Sequence, residues 1–348
     1  MSKGMRAIVS QAKGQASVQQ IAIPTISSND ILVKVKAVAL NPTDWKHRDF
    51  IGVPDSILGC DFAGEVVETG DKVTNVKVGQ RVAGFVHGGK KNGVGSFAEY
   101  TKIGSTLVWK VPKNVSDEEA AALGGIGPHT AAQALFSRLK LNQPDAPSKE
   151  GKSILVWGGS TSVGIYAVQL AKLAGYKVVA TSSPKNFDLI KSFGADAVYS
   201  YADDDTPSKI GQDYPDLALG LDTISEKGTT LQLAKSFAKG KGHIITLLPV
   251  KDDALKALEP ETVVEGTLVY SVLGDKYETP APSPPAEALA ADKKFIEDWS
   301  IKVADLIEQG KFKSNPLWSQ SGGLDKVQEG LDMLKAGKNS AQKITYKF

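Results

Sequence analysis

The chain has 348 residues, a length that suggests two domains and permits a large core without covalent staples. Lys and Arg number 41 against 39 Asp and Glu, and a net charge of +2 offers no basic field of the kind nucleic-acid binders carry. A single cysteine, Cys60, excludes an intrachain disulfide and every multi-cysteine zinc site, while 34 glycines and 7% aromatic residues favour an α/β enzyme. Apolar runs are short and broken by charge or glycine, so no membrane span is expected. Neither a signal h-region nor a C-terminal address is visible, and a cytoplasmic location is expected.

The first third reads as β. Strands are expected over Met5–Ser10, Ser17–Ile23 and Ile31–Leu40, and Asn41-Pro42-Thr43-Asp44 reads as a turn. Further strands are expected over Gly64–Glu68, Arg81–Val86, Phe97–Lys102 and Leu107–Val111. Ser116-Asp117-Glu118-Glu119 is a capping box with acids at the positive helix end. Glycines at 124, 125 and 127 interrupt that helix, which can resume over Thr130–Leu139 before a polar loop over Asn142–Lys152.

From Ser153 the rhythm becomes β-α-β. Ser153–Trp157 is a buried strand, Thr161–Ala174 a helix, Tyr176–Thr181 a strand and Asn186–Phe193 a helix ended by Gly194. Ala197–Tyr201, Leu217–Ile224, Thr229–Ala238, His243–Leu248 and Gly266–Leu273 continue the alternation, the signature of a doubly wound parallel sheet. Thr279–Pro285 is a proline-rich linker or loop, Phe295–Gln309 and Leu324–Leu334 are amphipathic helices, and Lys343–Phe348 is a last strand.

The strongest local signal is the turn Gly158-Gly159-Ser160-Thr161-Ser162-Val163-Gly164 between a buried strand and a helix. Such a turn aims backbone N–H groups and the positive helix end at a pyrophosphate. Gly159 and Gly164 fit the first and third glycines of the dinucleotide fingerprint, and Thr161 stands in the second place. An ordinary strand–helix turn is the alternative; the β-α-β context favours the dinucleotide. The next strand ends Ser182-Ser183-Pro184-Lys185-Asn186, with no acid before Asp188 to bond a ribose 2′-hydroxyl. Hydroxyls and Lys185 suit a 2′-phosphate, hence NADPH, unless Ser183 only caps the helix and Lys185 is solvated.

Together these segments resemble the medium-chain dehydrogenase/reductase superfamily over nearly the whole chain. Gly59-Cys60-Asp61-Phe62-Ala63-Gly64-Glu65-Val66-Val67, Val78-Gly79-Gln80-Arg81-Val82, the Val163–Lys172 helix and Phe193-Gly194-Ala195-Asp196 carry the likeness. Asn41-Pro42-Thr43-Asp44-Trp45-Lys46 and Ser183-Pro184-Lys185-Asn186-Phe187-Asp188 resemble its zinc-independent fungal branch, which includes trans-enoyl reductases and ToxD-like proteins. The resemblance implies a GroES-like β-rich catalytic domain begun by residues 1–120 and completed by 276–348. A Rossmann NADPH-binding domain at 121–275 would lie between, with the active site in the cleft.

Zinc-dependent relatives carry ligands near Asn41, at the position of Cys60 and near Ile126, and a four-cysteine lobe where this chain has Gly88–Gly95. No metal is therefore expected. A mixed site of Cys60, Asp61 and a histidine is the remote alternative.

Without a Lewis acid another group must stabilise the charge that develops on hydride addition. The resemblance implies Lys46, facing the nicotinamide, as a catalytic residue; a solvated lysine beside His47, Arg48 and Asp49 is the alternative. It implies Thr130 as a pocket hydroxyl, against a capping or back-bonded role. Asn41, Pro42, Asp44 and Trp45 are expected near the cofactor, although Asn41 and Asp44 equally suit a turn. By the same likeness Tyr201 lies near the adenosine, Leu247 and Leu248 along the nicotinamide, and Ala341 and Gln342 at the cofactor. Ser271, Val272 and Leu273 are expected near the substrate. His129 is a weaker acid/base candidate, and His87 and His243 carry no functional expectation.

The function expected is NADPH-dependent reduction of an α,β-unsaturated carbonyl compound. Reduction of an aldehyde, ketone or quinone is the alternative, and a non-catalytic cofactor-binding sensor a more distant one. The partner is a small carbonyl or enoyl substrate. A polyketide-synthase partner has no readable docking patch, and the sequence leaves monomer and homodimer open.

Overall fold

A computed structural model describes residues 4–90, 93–277 and 283–348, with the side chains of residues 252 and 254 outside it. Thr279–Pro282 of the proline-rich stretch and Lys91-Asn92 of the 88–95 segment lie outside the described residues. The chain divides into two compact units: residues 1–127 with 270–348, and residues 128–269.

The first unit opens with β1 (Gly4–Ala12), β2 (Gln15–Ala22) and β3 (Asp30–Ala39). Where Asn41–Asp44 reads as a turn, the structure has helix α1 (Pro42–Lys46), running on as a π turn to Ile51. Asn-Pro serves both purposes, since proline at the first helical position sets φ and needs no N–H partner. Then follow β4 (Ser56–Ile57), β5 (Asp61–Thr69), β6 (Arg81–Phe85), β7 (Tyr100–Gly104) and β8 (Trp109–Lys110). Two of these are shorter than expected: β7 starts three residues after Phe97, and Leu107 belongs to a 3₁₀ turn.

Helix α2 (Asp117–Gly124) begins as its capping box requires, with Ser116 accepting from the Glu119 N–H. Gly125 is extended, and a Cβ there would meet Asp61 Oδ2 at 2.0 Å. Helix α3 (Ile126–Ala132) starts at once rather than at Thr130, because Asp61 Oδ1 accepts from the Ile126 N–H at 2.8 Å and caps it. A π turn over Gln133–Arg138 extends it.

The second unit holds β9 (Ser153–Trp157), α4 (Ser162–Leu173), β10 (Lys177–Ser182), α5 (Phe187–Ser192) and β11 (Ala197–Ser200). It continues with α6 (Thr206–Asp213), β12 (Leu219–Asp222), α7 (Thr229–Lys235), β13 (Gly242–Thr246), α8 (Asp252–Lys256) and β14 (Thr262–Gly266). These strands form one parallel sheet in the order β11-β10-β9-β12-β13-β14. The order reverses beside β9, where doubly wound sheets bind nucleotides. Ile154, Leu155 and Val156 are wholly buried, as helices on both faces demand. The apolar run Gly266–Leu273 is not a strand: Gly266 ends β14 and Val269–Leu273 is a 3₁₀ turn.

The chain returns to the first unit with α9 (Ala286–Glu308), β15 (Leu317–Gln320), α10 (Val327–Lys335) and β16 (Lys343–Lys347). Helix α9 starts well before Phe295, through an alanine-rich segment that begins just after Pro285. Among the described residues this unit has a β2-β1-β4 sheet and a larger one ordered β15-β16-β3-β5-β6-β8, with β7 on β3. Its core joins Val33, Val35 and Val38 of β3 to Phe62 and Val66 of β5 and to Leu331 and Tyr346 near the C-terminus.

Candidate active site

Strand register builds the polar centre of the first unit. Ala39 pairs with Thr345 of β16 on one side and with Asp61 of β5 on the other. Continuing the first register past the end of β3 sets Lys343 against Asn41. Lys343 is 2% exposed; its Nζ donates to Asn41 Oδ1 and lies 3.1 Å from Asp61 Oδ2, whose residue is fully buried. A buried ammonium thus stands between an amide and a carboxylate, and each charge offsets the other's desolvation.

Asp44 accepts from the Asn41 N–H through Oδ2 at 2.7 Å, and its Oδ1 has no hydrogen-bond partner among the described residues. Burial and the neighbouring Asp61 push the Asp44 carboxyl up to about 7, against the pull of the Asn41 N–H. Burial, with Asp44 and Asp61 close by, also holds the Cys60 thiol well above its ordinary range. Cys60 is therefore a protonated, buried thiol. Among the described residues no group of three or more His, Cys, Asp or Glu side chains is placed to hold a metal ion.

Beside this centre lies an aromatic cluster that sequence reading missed. Tyr270 is 3% exposed, and its hydroxyl is 2.6 Å from Thr43 Oγ1 and 3.8 Å from Cys60 Sγ. His87 stacks flat on the Tyr270 ring with centroids 3.5 Å apart, and His47 meets both rings edge-on. Burial lowers the proton affinity of both histidines, that of His87 to about 2, so both rings are neutral. His87 and Tyr270 line a cavity of about 180 Å³ with Val86, Val94, Leu107 and Leu273.

Lys46 ends α1 half-buried, with Nζ 5.8 Å from the centre of the Trp45 ring. The charged neighbours that suggested a solvated patch are engaged elsewhere. Arg48 binds Asp49 at 2.7 Å and Asp332 at 2.6 Å, and Asp49 also binds Lys335 at 2.7 Å. Lys46 makes no ion pair among the described residues. Pro42 is exposed at the start of α1. Ser271 donates to Asp292 Oδ2 at 2.5 Å, Val272 is fully buried and Leu273 half-buried. Ala341 is buried with φ of 54°, followed by an exposed Gln342.

In the second unit the strand–turn–helix has the geometry of a phosphate site. A Cβ on Gly164 would meet the Gly158 carbonyl oxygen at 2.2 Å, so only glycine lets α4 pack this close to β9. A Cβ on Gly159 would lie 2.9 Å from that of Ala180. Thr161 explains the departure at the second glycine. It caps α4, accepting from the Gly164 N–H at 2.9 Å and donating to Thr223 at 2.9 Å. Ser160, Ser162 and Val163 complete the rim at the positive end of a 12-residue helix.

The C-terminal edge of β10 follows. Ser182 is fully buried and its hydroxyl has no partner among the described residues. Ser183 accepts from Asn186 at 3.2 Å, and Lys185 is exposed. The Tyr201 side chain is 55% exposed where its N–H meets the Ser182 carbonyl at 3.3 Å. Leu247 and Leu248 are half-buried after β13, the Leu247 N–H held by Ser225 Oγ at 2.9 Å. Thr130 is 6% exposed and His129 2% exposed, both within α3 rather than at its start.

Residues 27–113 match the alcohol dehydrogenase GroES-like domain, and residues 162–280 match the zinc-binding dehydrogenase domain. The solved CurK enoyl reductase shares the fold with a TM-score of 0.77 over 99% of each chain, at 19% identity. These likenesses place the chain among the oxidoreductases of the medium-chain dehydrogenase/reductase superfamily. It is 39% identical to trans-enoyl reductase ACTTS2 of Alternaria alternata, across 99% of this chain and 98% of that one. It is 38% identical to trans-enoyl reductase caaB of Aspergillus niger, across 98% and 96%. Within the superfamily, the chain belongs to the family of fungal trans-enoyl reductases.

Proposed function

We propose that this enzyme reduces the carbon–carbon double bond of an α,β-unsaturated carbonyl compound, of the enoyl thioester type, with NADPH and without a metal ion. The likeness to trans-enoyl reductases along the full chain supports the substrate class. The observation that carries the metal-free reading is the buried ammonium of Lys343 between Asn41 and Asp61. Positive charge is already present beside Asn41, where zinc-dependent relatives place a ligand. Conjugate reduction needs only hydrogen-bond donors at the carbonyl oxygen, where enolate charge develops.

The residues present fit the dinucleotide. The Gly159–Gly164 turn offers amides and a helix end to the pyrophosphate. The unpartnered Ser182 hydroxyl, Ser183 and Lys185 offer donors to a 2′-phosphate, with no carboxylate before Asp188 to repel it. The exposed Tyr201 ring offers a stacking face to the adenine. When bound, the nicotinamide supplies the hydride. Lys46 would donate from its ammonium to the substrate carbonyl or the nicotinamide ribose, Thr130 would offer a hydroxyl to the substrate, and a proton from solvent or a side chain would complete the reduction at the α-carbon.

Steady-state rates with enoyl thioesters, enals, saturated aldehydes and quinones, with NADPH or NADH and with product analysis, test this reading. The saturated thioester is the expected product. Allylic alcohol as sole product, or activity that tracks stoichiometric zinc and is lost on chelation, would overturn it. Lys46→Met is expected to lower kcat.

A further inference from the structure

We propose that the Tyr270 hydroxyl is a catalytic hydrogen-bond donor to the substrate's carbonyl oxygen, aimed by a one-way chain from His47 through Thr43. The inference rests on the enoyl-reductase reading and adds to it a second donor, besides Lys46, for the enolate oxygen.

One end of the chain has a fixed direction. His47 Nδ1 lies 2.8 Å from the Thr43 carbonyl oxygen. A carbonyl only accepts, so Nδ1 carries the proton and the ring is the Nδ1–H tautomer. The same N–H is 3.1 Å from Thr43 Oγ1, which therefore accepts from it. Either oxygen can donate along the short 2.6 Å Thr43–Tyr270 contact, and in the proposed chain the Thr43 proton occupies it, directed at the Tyr270 oxygen. That leaves the Tyr270 O–H, whose one other hydrogen-bonding contact among the described residues is Cys60 Sγ at 3.8 Å, a weak acceptor. The chain ends on a donor that lacks a good acceptor.

The surroundings suit a hydrogen-bond donor and oppose a phenolate. Burial, with Cys60 and Asp44 nearby, keeps the Tyr270 hydroxyl protonated throughout the working pH range. Each bond in the series polarises the next, so Tyr270 donates more strongly than an isolated phenol. His87 stacked on the ring at 3.5 Å fixes its plane, which lowers the reorganisation cost when charge develops. The cavity bordered by His87 and Tyr270 admits a ligand to this side of the cluster. Tyr270 is thus the catalytic residue, and Thr43, His47 and His87 are positioning residues.

The test uses the full-length enzyme with NADPH and an enoyl thioester. Removing one preorganised donor to a developing oxyanion costs roughly 10²–10³ in kcat. Tyr270→Phe is expected to lose about that factor with the KM for NADPH unchanged, and the isotope effect from 4-deuterated NADPH should rise as hydride transfer becomes limiting. Thr43→Val should fall roughly tenfold through loss of chain polarisation, and Thr43→Ser should restore the rate. A second readout needs no turnover: bound hexadienoyl thioester should absorb to the red through its polarised carbonyl, and lose that shift in Tyr270→Phe. Wild-type kcat and an unchanged red shift in Tyr270→Phe would overturn the inference while leaving the enoyl-reductase reading intact. Should Tyr270→Phe not fold, equal rates for Thr43→Val and Thr43→Ser would overturn it. A wild-type enzyme that binds NADPH but reduces no enoyl thioester overturns the function itself, a result distinct from either.

Discussion

Replacing Lys343 by methionine should destabilise the first unit severely, and a second substitution should undo most of the damage. Lys343 and Asp61 are 2% and 0% exposed at the side chain, with Nζ and Oδ2 3.1 Å apart. At that separation and an effective dielectric constant of about 20, the attraction is roughly 5 kcal/mol. Loss of one partner from a buried pair costs about 3–5 kcal/mol, because the remaining charge is stranded. Against a total stability of about 5–15 kcal/mol that is a large share. Lys343→Met also strips the amide of Asn41 of its donor and leaves Asp61 close to Asp44 with no cation between them. Asp61→Asn on the Lys343→Met background removes the stranded charge, and its amide oxygen still accepts from the Ile126 N–H, so the α3 cap survives. Urea denaturation of wild type, both single variants and the double variant closes a thermodynamic cycle. The double variant should be more stable than Lys343→Met by at least about 2 kcal/mol. A double variant no more stable than Lys343→Met would refute the claim that stranded charge dominates the loss.

The Asp44 carboxyl, ordinarily near 3.8, sits near 7 in the folded protein, so the folded state holds the proton more tightly than the unfolded one. Its contribution to stability is full below about pH 4, falls as pH rises towards 7 and then levels off, by roughly 4 kcal/mol at most. Asp44→Asn, which stays neutral, should flatten that slope in denaturation midpoints measured from pH 4 to 8. Gly164→Ala pushes a methyl group into the Gly158 carbonyl oxygen at 2.2 Å. It should cost about 1–3 kcal/mol of stability and weaken NADPH binding in titration calorimetry. Lys185→Ala should raise the Kd for NADPH about tenfold, or roughly 1.4 kcal/mol, and leave that for NADH unchanged.

Local signals were legible in proportion to their contiguity. Strand β9, its glycine turn and α4 stand where apolar run, turn and helical spacing put them, because every residue of that motif lies within a short segment. Helix α6 went unread: it is short and polar, and its Pro207 stands in the first turn. The apolar run over 266–273 misled because periodicity does not separate a strand from a 3₁₀ turn in so short a segment. At the site, Asn41, Asp44 and Lys46 were visible as a motif. The partners that give them chemistry were not. Thr43 meets Tyr270 across 227 residues of sequence, and Lys343 reaches Asp61 only through the β16–β3–β5 register. A lone buried tyrosine and a lysine in a polar tail carry no sign of such pairing until the strands are laid side by side.

The return of β16 to β3 has a consequence for biogenesis. Residues 128–269 form a contiguous block whose sheet can assemble as soon as it leaves the ribosome. The first unit has no such freedom, because β16 (Lys343–Lys347), which pairs with the end of β3, is made only after the whole of the second unit. Until β16 arrives, Ala37, Val38 and Ala39 of β3, beyond the stretch that β7 covers, wait with an open side, a template for pairing with other chains. Loss of residues 343–348 would remove both that strand and Lys343. A chain cut before Lys343 should thus yield an aggregating polypeptide rather than a slow enzyme.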